Sequence, residues 1–549
     1  MAKLKKRSRN AQARQKHNPI GQKNIPATSN NQKILETIDK LKSTTTSVNE
    51  KLITINHILV QCNNSEEARK AYLKNDLGKV LLNDLLKNSS YDEILVSSLD
   101  LLSHILSEEP EFAIYLWRNS IWDILEKNFT NGFNSLSHMN DEKVNVISKD
   151  LLISYLEHLI TILDNLIMEL PSDIVESQLL VKLQESKLLE SLFEIKVPKL
   201  VTLVLQFTYD FATISSAFLN TISHKTFELQ GSTLAKAYII GINLQIMEIN
   251  KALTPTILNQ ITEEIFKNLE SESTPSEEVV DISLDLLSTV IELESENPNK
   301  AFNELCNTKI LPLVTNNLNG KKLLCLNNLL IYYQANNLVT NELIEGLLQL
   351  APEVDFSDID AVVDVINFRA HCATISGGAA ENITFVNEIA KYTDSQLKFD
   401  EFTDGGAVSR LVIAVCAYFP QVKDTFQIEN IKDITVLAVE KILLNAINSY
   451  KSELSKMNIS KLHNKWGYLF ETCVAAAVIL IFELYDDDYP YNRELYHGSN
   501  GVGNVIENAF EDINKMYKNV DKNKNVQVKN EMREIVENLK RFIEYKKSE

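Results

Sequence analysis

The sequence predicts an all-α fold: an armadillo/HEAT-repeat right-handed α-solenoid, which is a superhelix of stacked helix pairs, with a disordered basic N-terminal tail. Three observations predict it. Only 15 glycines and 12 prolines occur among 549 residues, which makes all-β and loop-rich folds poor matches. An apolar helical rhythm begins near Ile34 and continues almost to the C-terminus. A helical motif and the corner that follows it also occur twice.

The repeated motif is SLDLLS, found at Ser98–Ser103 and again at Ser283–Ser288. The apolar residues around the first copy match those around the second: Leu95, Leu99, Leu102 and Leu106 against Val280, Leu284, Leu287 and Ile291. Steps of four, three and four place these side chains on one helix face. Each copy ends at a corner, with Pro110 in one and Pro298 in the other. Helix, corner and helix at intervals of about 40–47 residues are typical of armadillo and HEAT repeats. The alternative is a non-repetitive helical bundle.

The same pattern divides the chain into three regions. Residues 1–33 are predicted as a disordered basic tail that carries a nuclear localisation signal. Residues 34–270 are predicted as armadillo-like repeats. Residues 271–549 are predicted as HEAT-like repeats that end in a C-terminal capping helix. Each helix pair cannot bury its own apolar face, so neighbouring pairs must stack.

Charge is distributed unevenly along the chain. The net charge is −19, yet residues 1–35 contain nine basic residues and no acidic one. The remainder holds 46 basic residues against 74 acidic ones, a net charge of −28. An acidic body favours a basic protein as partner and repels bare nucleic acid, so no direct DNA binding is expected.

Acidic residues concentrate in three clusters of the body. Residues 263–304 hold twelve acidic residues and two lysines, and two smaller clusters lie near positions 355 and 487. On a solenoid they suggest capture of a basic cargo, whereas each cluster alone is also typical of a solvated helix face. We place Glu292 and Glu294 in an inter-helix corner. The predicted cargo-binding residues are Glu292, Glu294, Glu296, Asp355, Asp358, Asp360, Asp486, Asp487 and Asp488.

The tail combines a basic block with a proline-containing element. Arg14, four residues and then Pro19-Ile20 follow the basic residues Lys3–Arg9. This order resembles a proline-tyrosine-type nuclear localisation signal, with isoleucine in the tyrosine position. The alternatives are a simple signal in Lys6–Arg9 and a tail that only touches RNA. The predicted importin-binding residues are Lys5, Lys6, Arg7, Arg9, Arg14, Lys16, Pro19 and Ile20.

No chemical motif of an enzyme occurs. The sequence has no G-x-S-x-G, no H-E-x-x-H and no cysteine pair with metal-ligand spacing. We therefore expect no catalytic activity, no cofactor and no metal site. Six scattered cysteines predict buried thiols in a reducing compartment. The longest uncharged apolar run lies between Glu471 and Glu483 and is too short to cross a bilayer, so no membrane partner is expected.

The basic opening Met1–Arg9, the Asn18-Pro19-Ile20 element and the Ser283–Ser288 helix resemble the symportin family of synchronised-import adaptors. The resemblance implies a nuclear import adaptor and dedicated chaperone for the basic large-subunit ribosomal proteins of the 5S ribonucleoprotein. It also implies a transportin-type karyopherin as a partner, contact with 5S ribosomal RNA through the cargo only, and shuttling between cytoplasm and nucleus, including the nucleolus.

One departure from the family is visible. Family members carry a long acidic insertion after the helix that matches Ser283–Ile291, which is implicated in holding one cargo. This chain has only Glu292, Leu293 and Glu294 as extra residues there. Binding of that cargo is therefore expected to be lost or moved to other acidic residues. The alternative function is a karyopherin-like receptor or a general helical-repeat nuclear scaffold.

Overall fold

The computed structural model describes residues 27–87, 92–139, 145–295, 299–316, 318, 320–350, 356–376, 383–397, 399, 405–423, 428–487 and 490–548. These residues form helices joined by short loops, and no strand occurs among them. The predicted all-α solenoid is confirmed. The handedness of the superhelix stays a prediction, and the predicted tail signal lies outside the described residues.

The chain divides into two compact units. The first unit contains the residues up to Thr254 together with Lys267–Ile282. The second contains Pro255–Phe266 and Ser283–Glu549. The predicted assignment of armadillo-like repeats to residues 34–270 and HEAT-like repeats to residues 271–549 stays a prediction.

Five long helices of the first unit form a ladder in which each packs against the next. These ladder helices are α1 Val48–Asn64, α2 Asp92–Glu108, α3 Val146–Glu169, α4 Pro198–Ile214 and α5 Thr233–Ile249. Two polar contacts join α3 to α4: Lys199 Nζ lies 2.6 Å from Glu157 Oε2, and Gln206 Nε2 lies 3.3 Å from Asp164 Oδ2. Both contacts join residues 42 positions apart, so α3 and α4 run in the same direction.

Shorter helices connect the rungs of this ladder. They are Ala27–Lys42, Glu66–Lys74, Leu77–Val80 continued by the π-helix Leu81–Leu86, Glu111–Arg118, Ile121–Ser137, Ser172–Ile174 continued through the π-helix Val175–Leu179 into Leu180–Glu185, Leu188–Phe193 and Ser216–Ile222. Local sequence explains several of the boundaries. Ser47, for example, begins α1 through a capping box with Glu50, whose backbone N–H donates to the Ser47 hydroxyl.

Two further helices, α6 Pro255–Glu270 and α7 Glu277–Glu294, contribute residues to both units. The remaining long helices of the second unit are α8 Gly320–Ala335, α9 Ile359–Ser376, α10 Gly405–Gln421, α11 Leu469–Leu484 and α12 Val526–Lys546, and each packs against the next. Arg410 Nη2 lies 2.8 Å from Asp360 Oδ1 near the starts of α10 and α9. Thr374 donates to Gln421 at 3.1 Å near their ends, so α9 and α10 also run in the same direction.

Shorter helices also connect the long helices of the second unit. They are Lys300–Leu305 continued through the π-helix Cys306–Ile310 into Leu311–Thr315, Asn341–Leu350, Ile383–Gln396, Ile428–Val436 continued through the π-helix Leu437–Leu444 into Asn445–Lys456, Ile459–Trp466, Arg493–His497 and Val502–Asn519.

The repeated SLDLLS motif occupies equivalent positions in the two copies. It lies in the middle of α2 and in the middle of α7. Ser98 and Ser283 are buried, as are the leucines that follow each of them. Leu95 and Val280, the first apolar residues of the two matching stripes, are both half-buried. The predicted corner is also observed after α2, where Pro110 separates it from the helix Glu111–Arg118.

The N-terminal start of the helical body differs from the prediction. The first helix begins at Ala27, inside the segment predicted as a tail, and it buries Ile34, Ile38 and Leu41. Extending an existing helix through polar residues costs less than nucleating one, so the apolar rhythm does not mark its start. The C-terminal end consists of two helices, Val502–Asn519 and α12, separated by residues 520–525, and the capping role of the C-terminal helix stays a prediction.

All six cysteines are free and buried, as predicted. Burial raises the pKa of each thiol for which a shift is resolved, which keeps it protonated. Within the described part of the chain, one unbroken helix, α3, is long and apolar enough by composition to cross a membrane. It packs between α2 and α4, and its Glu157 and Asp164 bond to α4, so in this fold it serves as a core helix.

Candidate acidic binding surfaces

The predicted cargo-binding residues do not form one surface. Asp358 and Asp360 lie at the start of α9, whereas Asp486 and Asp487 follow the end of α11. Lys423, just past α10, lies 3.4 Å from the Glu483 carbonyl near the end of α11. Since α9, α10 and α11 thus run in the same direction, the two groups lie at opposite ends of these three helices. A helix of this length separates them by about 25 Å.

The first of these groups is engaged within the fold. Asp360 pairs with Arg410 at 2.8 Å, which joins α9 to α10. The Asp358 carboxylate accepts a hydrogen bond of 2.9 Å from the Asp360 backbone N–H, which is the arrangement of a helix cap. Their charge is therefore directed at the protein itself more than at a partner.

The second group is engaged from the C-terminal helix. Asp487 contacts the Lys546 ammonium, and Lys546 is only 3% exposed. The Lys546 Nζ also donates to the Tyr491 hydroxyl at 2.9 Å and lies 4.3 Å from the centroid of the Tyr491 ring. A buried cation needs such a partner, so Asp487 stabilises the docking of α12.

The prediction that Glu292 and Glu294 occupy a corner loop is wrong, because both belong to the last turn of α7. Glutamate is a good helix former, and two extra glutamates extend the helix. Glu292 is exposed, but Glu294 is buried and accepts hydrogen bonds of 3.1 Å from the Asn299 amide at both carboxylate oxygens. Burial raises the pKa of Glu294 to about 7.

The other predicted residues lie outside the described residues. They are the cargo-binding residues Glu296, Asp355 and Asp488 and all eight importin-binding residues, Lys5, Lys6, Arg7, Arg9, Arg14, Lys16, Pro19 and Ile20. Their roles stay predictions from the sequence.

The buried position of Glu294 makes its substitution a test of stability. We expect Glu294→Lys to lower the free energy of unfolding by roughly 3 kcal/mol, because it buries a cation with no acidic partner. Glu294→Gln keeps an acceptor for Asn299 and should fold normally. Because the pKa of Glu294 is raised in the folded state, its protonation stabilises that state fully at pH values below the unfolded pKa near 4.5. This contribution to stability is lost as the pH rises through about 7.

The wild type should therefore lose about 2 kcal/mol relative to Glu294→Gln between pH 5 and pH 8. Denaturant titrations of both proteins at the two pH values measure this difference. An unchanged difference between them would show that Glu294 does not titrate in this range.

A different set of acidic residues is exposed in the first unit. The acidic segment comprises Glu270, Glu272, Glu277, Glu278 and Asp281, which lie at the end of α6, in the loop 271–276 and at the start of α7. Its four glutamates are exposed and Asp281 is half-buried. Against these five carboxylates, residues 267–282 contain only Lys267, so the local net charge is −4.

Contacts with α5 hold the acidic segment in place. Thr233 donates to Glu272 Oε1 at 2.7 Å, and the Tyr238 hydroxyl donates to Glu278 Oε1 at 3.3 Å. The Asn268 amide donates to the Thr233 carbonyl at 2.9 Å. These contacts use one oxygen of each glutamate, so the carboxylates are oriented and still reach solvent.

Sequence reasoning counted these residues in the acidic cluster but did not select them. It selected residues at the end of α7 and in the corner that follows it, whereas the exposed carboxylates lie before α7 and in its first turns. A helix N-terminus favours nearby carboxylates, which explains why Glu277 and Glu278 are tolerated side by side. The signal that could have identified them is acidic residues in a loop rich in serine, threonine and proline, since such loops lie on the surface.

A cavity of about 560 Å³ lies in the first unit between α2, α3 and the helix Ile121–Ser137. Leu95, Val96, Leu151 and Leu152 line it together with Tyr155, and burial raises the pKa of the Tyr155 phenol. The Tyr155 hydroxyl donates to the Asn128 side chain at 2.6 Å and is therefore already engaged. Among the described residues, no group of histidine, cysteine and acidic side chains could hold a metal ion.

No protein-family model matches the chain. It is similar to Synchronized import protein 1 of Saccharomyces cerevisiae (strain ATCC 204508 / S288c), with 21% identity over 91% of this chain and 91% of the relative. The resemblance to the symportin family is confirmed. Because the similarity extends along nearly the whole length of both proteins, the symportin resemblance concerns the whole helical body and not a single repeat.

Proposed function

We propose that this chain is a nuclear import adaptor and dedicated chaperone for basic ribosomal proteins of the 5S ribonucleoprotein. It would link them to a transportin-type importin through its basic tail and shuttle between cytoplasm and nucleus. The Saccharomyces cerevisiae relative is named as an import protein, which supports the import role. No catalytic step and no cofactor form part of this proposal.

The observation that carries the proposal is the exposed acidic segment on an acidic body. Ribosomal proteins are basic because they bind RNA, and an unbound basic protein attracts RNA nonspecifically. A surface that presents five carboxylates competes for the same cations. The acidic body also repels phosphate, so 5S ribosomal RNA would be contacted through the cargo only.

The two charged regions of the chain suit different partners. Carboxylates of the body attract the cargo, whereas the basic tail offers cations to the acidic groove of an importin. A chain that carries both can hold cargo and importin at once. The adaptor role therefore requires that both regions act in the same molecule.

Salt dependence tests the cargo interaction. We expect the Kd for purified 5S ribonucleoprotein ribosomal proteins to increase at least tenfold between 50 and 300 mM salt, estimated from the screening of exposed charges within about 10 Å. Isothermal titration of the full chain at several salt concentrations measures this slope. An affinity that does not change with salt would contradict an acidic capture surface.

A further inference from the structure

The loop 271–276 of the acidic segment carries an exposed threonine, Thr274, that is followed directly by a proline. Only two of the twelve prolines follow a serine or threonine, at Thr254-Pro255 and at Thr274-Pro275. Proline biases the residue before it toward an extended backbone, which is the conformation that a kinase active site binds. The two threonines are therefore the candidate acceptor residues of a proline-directed kinase.

The structure distinguishes the two threonines. Thr254 immediately precedes α6, at its N-cap position, and it is already engaged by neighbouring groups. Thr274 lies inside the six-residue loop 271–276, is exposed, and forms no hydrogen bond within the described part of the chain. A kinase needs both an accessible hydroxyl and a segment that can be drawn into its cleft, and Thr274 satisfies both requirements.

Two of the other three hydroxyl groups of the same loop are committed to the fold, and the third, the exposed Ser273, is not followed by a proline. Ser271 donates to the Asn268 carbonyl at 2.7 Å, and the Ser276 hydroxyl accepts from the Val279 backbone N–H at 3.4 Å as α7 begins. The loop is thus anchored at both ends while Thr274 projects from its middle. Modification of Thr274 would leave these two contacts intact.

We propose that Thr274 is a phosphorylation site for a proline-directed protein kinase and that its phosphate strengthens binding of basic cargo. This inference rests on the proposed function. Thr274 Oγ1 attacks the γ-phosphorus of ATP, and the bond from that phosphorus to the β,γ-bridging oxygen breaks. ADP leaves with the electron pair, and the hydroxyl proton passes to the catalytic base of the kinase.

The phosphate adds about −1.5 to −2 charges to a segment whose net charge is −4. It would lie close to the start of α7, where the helix dipole favours an anion and offsets repulsion from Glu277 and Glu278. Its three oxygens accept charge-assisted hydrogen bonds from lysine or arginine more strongly than a hydroxyl does. Phosphorylation would therefore raise affinity for basic segments.

Mass spectrometry of the full chain purified from its own cells tests the site. We expect phosphate on Thr274 and not on Thr254. In a second experiment, the unmodified chain is incubated with ATP and a proline-directed kinase. Thr274→Ala should abolish incorporation, whereas the matched control Thr254→Ala should leave it at about one phosphate per chain. Equal incorporation into wild type and Thr274→Ala would overturn the inference.

The functional effect is measured with a fluorescent ten-residue oligolysine as the probe. We expect the phosphorylated chain to bind it roughly tenfold more tightly than the unmodified chain at 50 mM salt, the range of one strong charge-assisted bond. Equal binding by both forms would overturn the proposed effect of the phosphate. If phosphorylation tightens oligolysine binding but the ribosomal proteins bind neither form, the proposed function fails while this inference stands.

Discussion

Replacing Glu270, Glu272, Glu277 and Glu278 with lysine should abolish cargo capture while the first unit stays folded. The change takes the net charge of residues 267–282 from −4 to +4, since four negative charges become four positive ones. Exposed ion pairs contribute about 0.7 kcal/mol each, so the loss of four of them alone predicts roughly a hundredfold weaker Kd, and repulsion between the new lysines and the basic cargo weakens binding further. All four side chains are exposed, and the core of α6 and α7 is not altered.

A matched control uses four exposed glutamates where acidic and basic residues alternate. These are Glu511, Glu534, Glu537 and Glu544, which lie in the two C-terminal helices of the second unit. Changing them to lysine alters the total charge of the chain by the same amount. We expect at most a threefold effect on cargo affinity, estimated from screening of distant charges. Similar losses in both variants would show that only the overall charge matters.

A neutral variant separates charge from helix stability. Lysine at positions 277 and 278 also opposes the dipole of α7, which costs about 0.3–1 kcal/mol for each residue. Replacing the same four glutamates with glutamine removes the charge without adding cations. Cargo affinity should fall by roughly a hundredfold through the loss of four ion pairs, which is less than in the lysine variant with its added repulsion, and circular dichroism should show unchanged helix content.

Removal of residues 1–26 should abolish importin binding without changing the melting temperature. The first helix begins at Ala27, and it contributes Ile34, Ile38 and Leu41 to the core, so this deletion spares those core residues. A deletion that continued to residue 41 would remove Ile34, Ile38 and Leu41 from the core and should destabilise the first unit. Thermal unfolding of both truncated proteins measures the difference.

Within the tail, Pro19→Ala combined with Ile20→Ala isolates the proline-containing element. The double substitution removes a stiff apolar anchor and no charge, so affinity for a transportin-type importin should fall by roughly tenfold or more. The complementary control changes Lys6, Arg7 and Arg9 to alanine, which should abolish binding by an importin that reads only the basic block. Undiminished transportin binding by the double variant would show that the basic block, and not the proline-containing element, is the nuclear localisation signal.

The repeated helices could be predicted because their apolar faces follow from local periodicity in the sequence. Leu99 and Leu284 are buried at equivalent positions in α2 and α7, as steps of four, three and four along the sequence require. Pro110 likewise marks a helix end, because proline restricts the backbone of the residue before it. Such rules involve residues within one helical turn and need no knowledge of tertiary packing.

The accessibility of acidic residues could not be predicted in the same way. Asp487 is engaged by Lys546, which lies 59 positions further along the chain, and Asp360 is paired with Arg410 across 50 positions. The buried Glu294 carboxylate is satisfied by Asn299, whose amide donates to both of its oxygens. The Asn299 side chain also accepts from the Phe302 backbone N–H at the start of the next helix. An acidic cluster in the sequence therefore indicates charge but not which carboxylates reach a partner.

The adaptor role predicts that cargo and importin bind the same molecule, and import into permeabilised cells measures this most directly. Labelled ribosomal protein is supplied with the importin and with one form of the chain: wild type, the chain lacking residues 1–26, or the variant with lysine at positions 270, 272, 277 and 278. We predict nuclear accumulation of the cargo with the wild type only. Accumulation that persists with either altered chain would contradict the adaptor role.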